Sequence, residues 1–251
     1  MQIHFKTFLT LLFCCGCLTA SAETINIAVA SNFMPVMNEI IAEFEAGSEH
    51  SVRVSYGSSG RIYAQINNGA PFDAFFSADQ EKPADLESMG LVVADSRFTY
   101  AVGTLVLWSK NPALLLAEGE ILRQGEFNKL ALANPRLAPY GVAAVEVLRA
   151  LGLEESTRDK WVQGENITQA FQFVESQNAD LGFVALSQVI SARLALDKSV
   201  WRIPDEYYNP IQQDAVLLKR GEDNQAALDF LNYMRSTQAR EIIESYGYRI
   251  E

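Results

Sequence analysis

Hydroxyl and amide side chains follow two apolar segments near the start of the chain, "NIAVASNFMP" and "VRVSYGSSGRIYAQI". Each segment passes from β-branched residues into a helical pattern. At the junctions lie Ser31, Asn32, Ser58 and Ser59. The first N–H groups of a helix have no partner within the helix, so a hydroxyl beside them completes a site for an anion. Serine and asparagine are also preferred helix caps, and ordinary capping is the alternative for either turn taken alone.

Two further helix starts occur in the second half of the chain, in "ANPRLAPYGVAAVEVL" and "GENITQAFQFVE". In the first, Pro139 opens the helix, and because proline has no N–H, the amides of Tyr140 and the residues after it are the ones available to a ligand. The second leads into a helix near Ile167. Four helix starts, two from each half of the chain, can therefore face one cavity.

The first 22 residues have the features of a secretory signal peptide: Lys6, an apolar run, and small residues at 20–22 ahead of Glu23. The apolar run is too short to span a membrane. We therefore expect a soluble protein, exported to the periplasm, that begins near Glu23. Attachment of a lipid at Cys17 is the less favoured alternative.

The charge of the chain bears on its partners. The sequence has 20 Lys and Arg against 31 Asp and Glu, a formal net charge of −11 over 251 residues. Nucleic acids and anionic membranes attract basic surfaces, so neither is an expected partner. An anion would be held by local dipoles against the overall field, which salt screens over about 8–10 Å.

Side chains suited to catalysis are scarce. All three cysteines lie in the predicted signal peptide, and of the two histidines only His50 lies outside it. Cysteine nucleophiles and zinc–thiolate sites are therefore not expected, and no enzyme activity or cofactor is predicted. An exported hydrolase with Ser31 or Ser59 as nucleophile is the alternative from another class, and it would need His50 or a lysine as its base.

Short apolar strands alternate with helical segments along the rest of the chain. Strands such as Thr24–Ala30 and Ser51–Tyr56 each lead into a helix, which predicts an α/β fold with parallel sheets covered on both faces. A second block of this kind begins with an expected strand at Val102–Trp108. We predict two lobes joined by extended crossings near 97–104 and 204–212, with a ligand cleft between them.

The predicted domains follow from those crossings. They are a signal peptide at 1–22, one lobe built from 23–102 and 208–251, and a second lobe built from 103–207.

Five segments resemble the family of periplasmic molybdate-binding proteins of bacterial ABC transporters. They are "INIAVASNF", "YGSSGRIYAQINNGAPFDAFFSADQEKPADL", "ANPRLAPYG", "GENITQAF" and "LGFVALSQV", in this order over nearly the whole exported chain. The resemblance implies a type II-like binding-protein fold that captures molybdate, and tungstate with it, and delivers the ion to a permease in the inner membrane. We expect a monomer. A receptor for another tetrahedral oxyanion, such as sulfate, is the alternative within this class.

The resemblance also implies a ligand set. The oxyanion ligands fall on Ser31, Asn32, Ser59, Tyr140 and Ile167. Ser31 and Ser59 would contribute hydroxyls, with Asn32 donating beside Ser31, whereas Tyr140 and Ile167 would contribute backbone amides. Some members of the family have a tyrosine where this chain has Ala185. Tyr140 is expected to replace that tyrosine, and both its hydroxyl and its amide are candidate donors.

This ligand set suits a tetrahedral dianion that carries no proton. Such an ion needs only donors, whereas a protonated phosphate also needs an acceptor, and none of the five residues has a carboxylate. We therefore predict selection against phosphate by the missing acceptor and against the smaller sulfate by cavity size. Of the neighbouring charges, Arg61 is expected to be solvated or paired with an aspartate, Asp79 to cap a helix, and Asp73 to begin a strand.

Overall fold

The computed structural model describes residues 22–115, 119–194 and 199–250. The predicted signal peptide, apart from residue 22, and Cys17 lie outside the described residues. The strands are β1 Thr24–Ala30, β2 Ser51–Gly57, β3 Ala74–Phe76, β4 Phe98–Gly103, β5 Leu105–Trp108, β6 Leu130–Ala133, β7 Trp161–Gly164, β8 Leu181–Ala185, β9 Val200–Arg202 and β10 Ile211–Leu217. The α-helices are α1 Met34–Gly47, α2 Ser59–Asn67, α3 Glu81–Ser88, α4 Glu120–Gln124, α5 Pro139–Ala150, α6 Glu154–Thr157, α7 Ile167–Glu175, α8 Leu186–Ser191, α9 Gln225–Met234 and α10 Thr237–Ser245.

The strands form two five-stranded sheets, ordered β2-β1-β3-β10-β4 and β7-β6-β8-β5-β9. Strand β1 pairs in parallel with β2 and β3, and β6 does so with β7 and β8. Strands β10 and β5 are antiparallel to their neighbours. Both sheets are therefore mixed, and the prediction of parallel sheets is wrong for the strands that pass between them. Strands β5 and β10 each follow a strand of the other sheet without the helical crossover that a parallel pairing requires.

The chain changes sheets at two places. Strand β4 belongs to the first sheet and β5 to the second, with Thr104 between them, so the strand predicted at Val102–Trp108 is two strands. The run from Tyr100 to Gly103 and all of β5 are buried, and a continuous apolar run does not reveal that its two ends belong to different sheets. The second change falls between β9 and β10.

Each sheet has its own apolar core. In β1, Ile25, Ile27 and Val29 pack on one side against α1 and α9, while Ala28 packs on the other side near Ile62 of α2. This alternation follows the two-residue period of a strand. The second sheet is covered by α5 and α7, whose buried residues share one cluster with β5, β6 and β8. Among the helices within the described ranges, none combines the length and apolarity needed to cross a membrane.

Two of the parallel strand pairs lead into the helix starts of the site. Strands β1 and β2 end side by side at Ala30 and Gly57, and each leads at once into a helical turn. Strands β6 and β7 end together at Ala133 and Gly164, ahead of α5 and α7. The carboxyl ends of parallel strands are where α/β proteins bind ligands, so each lobe presents two helix starts at one edge.

Candidate functional site

The four helix starts line one small cavity between the two sheets. Its lining residues are Ser31, Asn32, Gly57, Ser58, Ser59, Ala78, Ala138, Pro139, Tyr140, Asn166 and Ile167. None of these residues is an acid or a base. The cavity therefore offers hydroxyls, side-chain amides and main-chain N–H groups, and it brings all five predicted ligand residues together. Their binding of an anion stays a prediction.

One side of the cavity, the hydroxyl wall, consists of Ser31, Ser58 and Ser59. Ser31 lies in a short 3-10 turn after β1, and no hydrogen bond of its Oγ is found within the described ranges. Ser59 is the first residue of α2, and its Oγ accepts from the Ala78 amide at 2.9 Å. Because a hydroxyl that accepts still has its own hydrogen to donate, this bond fixes Ser59 as a donor.

Ser58 also belongs to this wall, although the ligand set implied by the resemblance leaves it out. It is 2% exposed, and its Oγ has no partner in the described part of the chain. The sequence indicates its place at a helix start, which is equally typical of an ordinary cap. Only the three-dimensional structure distinguishes the two.

Asn32 lies at the cavity, but its side chain is committed elsewhere. Its Nδ2 donates to Gln213 Oε1 at 2.8 Å and to the Tyr248 hydroxyl at 3.0 Å. An amide nitrogen has two hydrogens, so both donors are used. The Ser187 hydroxyl donates to the Asn32 carbonyl oxygen at 3.0 Å. The backbone N–H is thus the donor that Asn32 retains for a ligand.

The opposite side, the amide wall, consists of the first turns of α5 and α7, with Tyr140 and Ile167. The amides of Gly141 and Val142 already donate to the Ala138 carbonyl, whereas those of Tyr140 and Ile167 donate to no acceptor among the described residues. Both precede the point at which helical hydrogen bonds begin. They are therefore available to an anion, with the positive end of each helix dipole behind them.

Gly141 supports the amide wall from behind. A Cβ at this position would overlap the Ala133 carbonyl at the end of β6. The close approach that requires a glycine is between α5 and the strand before it. The glycine thus allows the start of α5 to pack tightly against the sheet.

The Tyr140 side chain extends from the amide wall toward the crossing strands. Its hydroxyl lies against Gly103 at the end of β4, where a Cβ would overlap it, and near the Tyr248 phenol, without a hydrogen bond of ordinary geometry to any described residue. Burial raises the pKa of Tyr140 well above its ordinary value and that of Tyr248 to about 12, so both phenols are neutral at pH 7. Ala185 is buried at the end of β8, and its N–H donates to Gln188 Oε1 at 3.0 Å.

Hydrogen bonds and an ion pair join the two lobes beside the cavity. The Gly60 amide donates to the Leu137 carbonyl at 2.9 Å. Thr168 Oγ1 donates to the Ser31 carbonyl at 3.2 Å. Arg61 Nη1 lies 2.7 Å from Glu165 Oε1, so the partner of Arg61 is a glutamate from the other lobe rather than an aspartate. These contacts connect the hydroxyl wall to the amide wall.

Asp79, Asp73 and His50 each have structural partners. Asp79 accepts from the Lys82 amide at 2.9 Å at the start of α3, and its other oxygen lies 2.8 Å from Lys82 Nζ. Asp73 accepts from the Asn26 amide at 2.7 Å. His50 Nε2 lies 3.2 Å from Asp229. The described residues contain no group of three or more His, Cys, Asp and Glu that could hold a metal cation.

A cavity between two α/β lobes, formed by helix starts from both, is the architecture of a solute-binding protein. The family described as bacterial extracellular solute-binding protein matches residues 25–249. The molybdate-binding protein ModA of Azotobacter vinelandii is 48% identical over 232 residues, 92% of each chain. That of Rhodobacter capsulatus is 44% identical over 234 residues, 93% of this chain and 91% of the relative.

A solved structure gives the same result. The periplasmic molybdate-binding protein of Azotobacter vinelandii matches with a TM-score of 0.87 and 39% identity, over 90% of this chain and 99% of that chain. The chain belongs to the family of bacterial extracellular solute-binding proteins. The two-lobed binding-protein fold and the resemblance to molybdate-binding members are thereby confirmed.

Proposed function

We propose that this protein captures molybdate, and tungstate with it, in the periplasm and delivers it to an ABC transporter permease in the inner membrane. The observation that carries the proposal is the cavity lining, which consists of uncharged donors from four helix starts and contains no carboxylate. The molybdate-binding relatives, at 48% and 44% identity, support the choice of ion. Both walls come from one chain, so a monomer suffices.

The donor set accounts for binding without a cationic side chain. The hydroxyls of Ser31 and Ser59 and the amides of Tyr140 and Ile167 can each donate to one oxygen of a tetrahedral ion. A hydrogen bond to a charged group contributes about 1.5–3 kcal/mol, and each helix start adds about 0.3–1 kcal/mol. Several such bonds offset the cost of removing a dianion from water.

The same donor set accounts for selectivity. An oxyanion that carries a proton at pH 7 needs an acceptor for that proton, and the lining offers no carboxylate to receive it. Sulfate carries no proton but is smaller, so its oxygens extend less far toward the two walls and its hydrogen bonds to them would be longer. We propose that charge state excludes phosphate and that size excludes sulfate.

The proposed function is binding without a chemical reaction. A serine hydrolase requires a base within hydrogen-bond distance of its nucleophile. Among the described residues, the bonded partner of Ser59 Oγ is the Ala78 amide, and the hydrogen-bond partners of the His50 ring are Asp229 and the Glu23 backbone N–H. This arrangement favours the receptor over the hydrolase.

Calorimetric titration tests the proposal. The chain from Glu23 to its end is titrated at pH 7 with molybdate, tungstate, sulfate and phosphate. We expect a dissociation constant below about 1 μM for molybdate and tungstate, and binding at least about a thousandfold weaker for the other two ions. Tight binding of sulfate or phosphate without a response to molybdate would overturn the proposal. Hydrolysis of a generic ester that is abolished by Ser59→Ala would revive the hydrolase.

A further inference from the structure

The Ser58 hydroxyl is a buried polar group without a protein partner. Its residue is 2% exposed, and Oγ makes no hydrogen bond within the described ranges. Two other buried side-chain atoms there share this condition, the Tyr140 hydroxyl and Gln213 Nε2, and both lie beside Gly103 at the crossing strands. Ser58 is the member of this set that belongs to the hydroxyl wall of the cavity.

Helix capping does not explain this hydroxyl. Ser58 is the N-cap residue of α2, with φ −73° and ψ 147°, but its side chain accepts no hydrogen bond from the helix. Elsewhere in the chain the same kind of residue does cap. Asn166, Asn224 and Ser236 accept from the third amide of α7, α9 and α10 at 3.1, 3.2 and 3.2 Å. Ser58 has the position of a cap without its function.

The neighbouring donors show what the Ser58 hydroxyl is available for. The Gly60 amide of the same turn is used by the Leu137 carbonyl of the other lobe, and Ser59 Oγ is held by the Ala78 amide. Ser58 Oγ is held by neither kind of contact, so its hydrogen can rotate toward the cavity. Leaving a hydroxyl buried and unpaired is costly, and an acceptor inside the cavity removes that cost.

We propose that Ser58 is a further ligand of the oxyanion, donating through Oγ to one oxygen of the fully deprotonated tetrahedral ion. This inference rests on the proposed function, and it adds a third side-chain donor to the hydroxyl wall. It also links binding to closure of the lobes, because an acceptor between the two walls removes the cost of burying this hydroxyl.

The test compares two serines that share the N-cap position. Ser58→Ala and Ser236→Ala are titrated with molybdate, and their thermal unfolding is followed without the ion. Loss of one charge-assisted donor is expected to weaken binding by Ser58→Ala about ten- to hundredfold, with an unfolding temperature equal to or above that of the wild type. Ser236→Ala loses a true cap, so its unfolding temperature falls by several degrees while its affinity stays within about twofold.

The outcomes separate the inference from the proposed function. Molybdate binding by Ser58→Ala within twofold of the wild type overturns the inference and leaves the proposed function in place. A Ser58→Ala variant that loses unfolding temperature as Ser236→Ala does shows a capping role and also overturns it. A wild-type chain that binds none of the four oxyanions overturns the proposed function and the inference together.

Discussion

The two walls of the cavity present donors of different chemical origin. The hydroxyl wall offers the side chains of Ser31, Ser58 and Ser59, whereas the amide wall offers main-chain N–H groups of Tyr140 and Ile167. A side-chain donor is lost with almost any substitution. A main-chain donor survives every substitution except proline, because it depends on where a strand ends and a helix begins. Residue type therefore defines one wall, and backbone geometry defines the other.

The largest effect on binding is expected when a main-chain donor of the amide wall is removed, which Ile167→Pro does. Proline is favoured at the first position of a helix, and Asn166 before it is extended at φ −143° and ψ 175°, as a residue preceding proline requires. Helix α7 should therefore form while one donor disappears. We expect molybdate affinity to fall about a hundredfold by calorimetry.

Ile167→Ala is the matched control, since it loses the same buried side chain and retains the amide. It should bind molybdate within about threefold of the wild type, although it unfolds more readily because a buried isoleucine is truncated. Equal affinities for the proline and alanine variants would show that the Ile167 amide does not hold the ion.

Alanine substitutions of Ser59 and Ser31, both in the hydroxyl wall, should differ in their effect on the unfolding free energy. Ser59→Ala removes a donor and also leaves the Ala78 amide without an acceptor, so we expect about thirtyfold weaker binding and a loss of about 1–3 kcal/mol in unfolding free energy. Ser31→Ala should weaken binding without that loss, because its Oγ holds no described group. Denaturant unfolding measures the stability of each variant, and calorimetry measures its affinity. An equal loss of stability in both variants would contradict a structural role for Ser59 Oγ that Ser31 Oγ lacks.

Removing the exposed ion pair that joins the two lobes should lower molybdate affinity by less. Arg61→Gln removes the contact with Glu165 across the cleft, and we expect affinity to fall about two- to fivefold at low salt and by less at high salt. Arg158→Gln, which disrupts pairs with Glu154 and Glu155 on α6, is the control and should leave affinity unchanged. A salt-independent loss for Arg61→Gln would contradict an electrostatic contact between the lobes.

The smallest expected effect is that of Tyr140→Phe. The hydroxyl lies against Gly103 and makes no hydrogen bond of ordinary geometry, so its removal should change molybdate affinity by less than about twofold and should leave stability equal or higher. A loss of tenfold or more would place the Tyr140 hydroxyl among the ligands and add a side-chain donor to the amide wall.

Local sequence patterns predicted the elements that position the site. The observed bounds of β1, Thr24–Ala30, are those expected from its apolar run, and β2 runs to Gly57, one residue beyond the expected end. The four helix starts were also predictable, because the change from strand to helix period and the serine, asparagine and proline residues mark them locally. The division of Val102–Trp108 between two sheets was not, since both halves are equally apolar.

Which side-chain donors are already hydrogen-bonded depends on residues far away in the sequence. Asn32 is separated by 181 and 216 positions from Gln213 and Tyr248, which occupy its side-chain donors. No local pattern indicates such partners. The hydroxyl of Tyr140 is placed by the crossing strand at Gly103 in the same way. Sequence thus located the donors of the cavity but not the competing partners that decide which of them are free.

The central claim is that one tetrahedral oxyanion lies between the hydroxyl wall and the amide wall. Crystals of the chain from Glu23 onward grown with molybdate, measured at the molybdenum absorption edge, locate the ion directly. We predict one anomalous peak in the cavity, with molybdate oxygens about 2.6–3.2 Å from Ser31 Oγ, Ser59 Oγ and the amides of Tyr140 and Ile167. A peak elsewhere on the protein, or a molybdate that contacts only one wall, would contradict it.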